Sequence, residues 1–201
     1  MMGRKYIICL GTLLLLTSVT GIVYASRVAL AQGIYGWAKY MTPVADYGDV
    51  LDLSELALSI YSENYYACIF AAETAYFSSF KLPDKDAAGN ISKSLEWCDR
   101  GLQSNSFRMQ LHRLKTYLMA RHSLSEAAKY WEKCTDWQFW EPANHALLVE
   151  LYAQTGQYEK AVDSLMLIKQ SSYYAEASRK LNDAWKKEKD FPSEFNTLRV
   201  K

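Results

Sequence analysis

The chain has 201 residues, half of them apolar, 22% charged and 14% aromatic, with a formal net charge of +1. This balance excludes a disordered or fibrous chain and leaves length for one or two domains with a substantial core. It also excludes bulk attraction of nucleic acid: without residues 1–25, which carry Arg4 and Lys5, 21 basic side chains stand against 22 acidic ones. Four prolines and nine glycines are too few for the turns of a many-stranded sheet, so the predicted class is all-α.

Residues 1–5 form a short positive tip, and residues 6–25 then run for twenty positions without a charge. As a helix that run covers about 30 Å, enough to span a bilayer. The positive tip predicts a cytoplasmic N-terminus with residues 26–201 across the membrane. A cleaved signal peptide is the rival reading, since Val23-Tyr24-Ala25 offers a cleavage site. Either reading carries the body out of the cytoplasm, as an anchored or an exported protein.

After this segment comes Ala31-x3-Tyr35-x2-Ala38-x4-Pro43. Apolar spacing predicts helices near 49–61 and 64–80, with Ala67, Ala71 and Ala75 lining a close helix crossing. A loop holding Asp84 and Asp86 and an irregular helix over roughly 86–103 follow. Cys9 lies in the apolar run, whereas Cys68, Cys98 and Cys134 lie far apart on predicted helices, each read as a small buried hydrophobe.

The most regular stretch is 149–165. Leu148, Val149 and Tyr152 line one helix, Gly156 ends it, and Tyr158, Ala161, Val162, Leu165 and Ile168 line the next. Thirty-four residues earlier, Leu114, Leu118, Leu124, Ala127 and Trp131 take the places of Leu148, Tyr152, Tyr158, Ala161 and Leu165, and Leu111 that of His145. A period of this length is a sign of stacked helical hairpins.

On these residues, 108–175 resembles two tetratricopeptide repeats, 108–141 and 142–175. Leu148-x3-Tyr152 and Gly156-x-Tyr158-x2-Ala161-x3-Leu165 carry most of that family's pattern, and residues 31–43 have the spacing of its second helix and closing proline. His145, Val149, Ile168 and Tyr173 depart from the usual tryptophan, small residue, alanine and proline, and His122 stands where the earlier unit's glycine belongs. The resemblance implies a helix–turn–helix repeat solenoid over 26–190, after an N-terminal transmembrane helix or signal segment and before a tail, 191–201. It further implies a concave face that binds a segment of a protein partner, with His112, Thr116, Met119, Glu150 and Gln154 toward that groove. Anchored proteins of this kind serve envelope assembly, secretion or polysaccharide export.

The last helix, about 173–189, turns polar as a terminal capping helix does, with Phe191 and Phe195 folding back on it and the final residues loose. No enzyme signature occurs: His112, His122 and His145 lack metal-ligand spacing, and there is no nucleophile turn or phosphate loop. Ser125 and Glu126 read as ordinary helix-start residues. The expectation is a non-enzymatic scaffold with no cofactor and no metal. The aromatic run 130–142 reads first as a buried joint between repeats. Its alternative is a saccharide- or lipid-binding module that uses the Trp137–Trp140 region.

Overall fold

The computed structural model describes residues 2–42, 46–81 and 84–187. Among them are nine α-helices and no strand: α1 (Met2–Met41), α2 (Tyr47–Ile60), α3 (Tyr65–Ser79), α4 (Asp84–Ser104), α5 (Met109–Ala120), α6 (Leu124–Asp136), α7 (Pro142–Gln154), α8 (Tyr158–Leu167) and α9 (Tyr174–Lys187). The chain divides into two compact units, residues 1–114 and 115–201.

In the first unit α1 packs on α2, α2 on α3, and α3 on α4. Helix α1 runs unbroken for 40 residues, so the apolar segment and the motif of 31–43 share one helix up to Met41. One window within Ile8–Met41 is long and apolar enough to cross a membrane, and none of it is buried. Farther along, Ala31 and Ala38 are wholly buried. The division of labour is visible in composition: leucines face outward in the first half, and small residues face α2 in the second.

Helix α3 is capped by the Asn64 side chain, which accepts from the Ala67 amide at 3.3 Å. Its predicted small residues Ala67, Ala71 and Ala75 are all fully buried. Helix α4 is regular over 21 residues, and Asp84 and Asp86 belong to its first turn, not to a loop. It passes α3 antiparallel and close: the Ser94 hydroxyl donates to the Ala72 carbonyl at 2.7 Å, and a Cβ added at Gly101 would lie 2.9 Å from the Cys68 Cβ and 2.6 Å from Leu111 Cδ1. Only glycine admits that approach.

The close crossing of α3 and α4 brings Ser94 to Ala72. Cys98, Trp131 and Leu165 are all buried.

In the second unit α6 packs on α7, and α7 on both α8 and α9. The cap of α6 is Ser123, whose hydroxyl accepts from the Glu126 amide at 3.3 Å, two residues before the expected Ser125. Gly156 takes φ +71°, the left-handed conformation that ends α7, and the amides of Gly156 and Gln157 return to the carbonyls of Ala153 and Tyr152. The small side chain of Ala161 is fully buried at its crossing. Cys68, Cys98 and Cys134 are buried thiols outside any disulfide, and burial pushes those of Cys68 and Cys134 up to about 11. Phe191 and Phe195 lie outside the described residues.

Candidate partner groove

Helix α7 turns its Glu150–Gln154 edge toward α9. Four residues apart, the two side chains are neighbours on one helix face, and the Gln154 amide donates to Glu150 Oε1 at 3.3 Å. The other carboxylate oxygen accepts from Lys180 of α9 at 2.7 Å. Asp183, one turn on, is held by Arg179 at 3.2 Å, and Arg179 is itself bonded to Glu176. The space between these edges is an open groove of about 730 Å³, with Ala153, Ala184 and Leu124 supplying apolar surface and Gln154, Lys180 and Asp183 the polar groups. Tyr158 is buried beneath it, its ring 5.7 Å from that of Trp185.

Such a groove can hold an apolar side chain against the alanines and bond a peptide amide or a charged terminus at its rim. Among the described residues, no cluster of three or more histidines, cysteines or acids could hold a metal.

The five residues of the expected groove fall in different places. Glu150 and Gln154 are brought together. Met119 is half-buried on α5, while Thr116 has no accessible surface. His112 lies in the first unit, its Nε2 2.8 Å from the Ser106 carbonyl. Lys180 and Asp183 read in sequence only as part of a solvated capping face. Their contribution depends on α9 lying against α7, which no local pattern reports.

A second feature lies at the α6–α7 turn. The Trp131 indole N–H donates to the Asn144 carbonyl at 2.9 Å, the Asn144 amide donates to the Gln138 carbonyl at 3.2 Å, and His145 Nε2 meets the Phe139 carbonyl at 2.5 Å. Trp131 is buried, as the repeat register requires. Phe139 and Trp140 are not: they are 66% and 65% exposed, edge to face at 5.4 Å. The expected buried joint therefore holds for Trp131 and fails for the turn. Its backbone is clamped from inside while two rings point outward.

The sequence matches no family model and no curated protein. The fold does match solved structures. A thermophilic TPR protein of Thermus thermophilus, TTC0263, superposes with a TM-score of 0.61 at 13% identity, over 77% of this chain and 81% of that one. YrrB, described as a TPR protein with an unusual peptide-binding site, gives 0.57 at 12% identity over 78% of each chain. The MamA protein gives 0.54 at 10% identity, over 88% of this chain and 98% of its own. The fold is the helical repeat of tetratricopeptide proteins.

Proposed function

We propose that this chain is a membrane-anchored scaffold that binds a segment of another protein in the α7–α9 groove. Residues 6–25 are the anchor, the tip with Arg4 and Lys5 stays in the cytoplasm, and the body works on the other side. The observation that carries the reading is the groove itself, where Glu150, Gln154, Lys180 and Asp183 surround an apolar floor. YrrB, of similar fold, has a peptide-binding site. The unbroken α1 favours anchor over signal, because cleavage after Ala25 would cut inside a helix whose Tyr24 and Arg27 are both bonded to the end of α2. Envelope assembly, secretion or polysaccharide export are the processes in which such a scaffold would act.

A photo-crosslinking residue at position 154 tests this in intact cells. The expected outcome is one dominant crosslinked protein in the membrane fraction, absent with the same residue at Asp163 on the exposed side of α8. Equal crosslinking from 154 and 163 would remove the groove from the proposal.

The exposed Phe139–Trp140 pair supports a second reading, a saccharide- or lipid-binding turn, because flat rings on a rigid turn stack well on sugar faces. Titration of indole fluorescence with envelope saccharides, compared with Trp140→Ala, separates the two readings.

A further inference from the structure

We propose that the first unit rests on the outer headgroup layer of the bilayer through its α2–α3 and α4–α5 turns. The inference rests on the anchoring of residues 6–25 and adds a second, peripheral contact to it.

The geometry follows from α1. Tyr6 and Tyr24 lie eighteen residues apart, about 27 Å along a helix, close to the hydrocarbon thickness of about 30 Å. Tyrosines prefer both edges of that layer, so Tyr24 marks the outer edge. Helix α2 runs back toward it. The Tyr24 hydroxyl donates to that of Tyr61 at 3.2 Å with the rings edge to face, and Arg27 forks onto the Ile60 carbonyl at 3.0 and 2.8 Å. The turn 61–64 is thus held at the level of Tyr24.

Helix α4 descends to the same level. Arg100 donates to the Leu58 carbonyl at 3.3 Å, and the Arg108 guanidinium lies over the rings of Tyr65 and Tyr66 at 5.9 and 5.5 Å. Turn 105–108 therefore lies beside turn 61–64. Together the two turns present Tyr61, Tyr65, Tyr66 (46% exposed) and Phe107 (72% exposed) beside the outer end of the span.

Close to these turns lie Arg27, Arg100 and Arg108 with Glu63, a small positive excess. That is too little for electrostatic adsorption, at about 1 kcal/mol per cation near an anionic surface. The attraction is aromatic and interfacial, and it works because the anchor already holds these rings at the bilayer. At the far end of the same helices, Gly48 is exposed and Lys81 lies over Tyr47.

The test uses the full chain in phosphatidylcholine vesicles, with Cys9→Ser and a spin label at one introduced cysteine. The three remaining cysteines are buried. Labels go to Gly11→Cys in the span, Ser62→Cys and Ser106→Cys at the two turns, and Gly48→Cys at the far end. Collision with oxygen and with a water-soluble nickel chelate gives depth. The expected result is a bilayer-interior reading at 11, an aqueous one at 48, and several-fold lower nickel access at 62 and 106 than at 48. The double variant Tyr66→Ser with Phe107→Ser should return 62 and 106 toward water while 11 stays buried and helicity is unchanged.

Aqueous readings at 62 and 106 with a buried 11 would overturn the inference and leave the anchor standing. An aqueous 11 would remove both. Loss of oxygen and nickel access together at 62 and 106, with spin–spin broadening, would assign the surface to a second copy of the chain and overturn the lipid contact.

Discussion

At Gly101 and Gly89 one helix holds two glycines in opposite circumstances. A Cβ at Gly101 meets Leu111 and the Cys68 Cβ at 2.6 and 2.9 Å, whereas Gly89 has nothing within 4 Å. Alanine gains about 1 kcal/mol over glycine in a helix interior. Overpacking a tight crossing costs about 1–3 kcal/mol, and the Cys68 Cβ cannot swing aside as the end of a long side chain could. Gly101→Ala is expected to lower the thermal midpoint and Gly89→Ala to raise it, both followed by circular dichroism of the full chain in detergent. A gain at both positions would mean that the α3–α4 crossing is looser than described. The same scale explains why Thr116 and Gln154 differ as groove residues: a helix face is fixed to within one residue by its neighbours, and one step separates a buried side chain from an accessible one.

Between elements, the contact of α6 with α7 includes a charge. The Glu132 carboxyl is held below its ordinary range, first by the hydrogen bond from the Tyr152 hydroxyl and then by Lys160 at 3.0 Å. A carboxyl lowered on folding contributes stability above its unfolded value of about 4.3, and this is lost as pH falls through the folded value. Tyr152→Phe removes the larger cause. Its deficit in urea midpoint against the native chain is expected to be full at pH 7 and to shrink below about pH 4. A deficit that does not change with pH would assign it to packing alone. Helices α2, α3 and α9 and the α7–α8 hairpin were legible in the sequence, because apolar spacing, Gly156 and Ala161 are local signals. The α3–α4 unit was not. Its close crossing rests on Ser94 and Gly101, residues that look polar or neutral in sequence and reveal their role only through the Ala72 carbonyl and the Cys68 Cβ. The aromatic turn was misread for a related reason: Asn144 and His145 hold its backbone from inside, so the rings of Phe139 and Trp140 are not needed to fill the joint.

For the molecule as a whole, the chain divides into two compact units. The first is tied to α1 by Tyr24, Arg27, Ala31 and Ala38, and the second carries the α7–α9 groove. Within the candidate groove, the pairing of Glu150 with Gln154 was readable because they lie four apart on one helix. Lys180 and Asp183 were not, since only tertiary contact between α7 and α9 adds them.

If residues 6–25 span a bilayer, the unbroken passage of α1 from the apolar segment into the packed body fixes an azimuth as well as a height. A rigid helix transmits rotation, so the face that residues 6–25 turn to any neighbouring membrane helix sets the compass direction of the first unit. One alanine inserted after Gly21 turns the two halves by about 100° relative to each other and lengthens the helix by only about 1.5 Å. Seven inserted alanines return the phase to within about 20°. If the protein works beside a membrane-embedded partner, function should be lost with one extra residue and largely recovered with seven. An assay of that association across the insertion series would read the gearing directly, and a smooth decline with length would show that reach matters and phase does not.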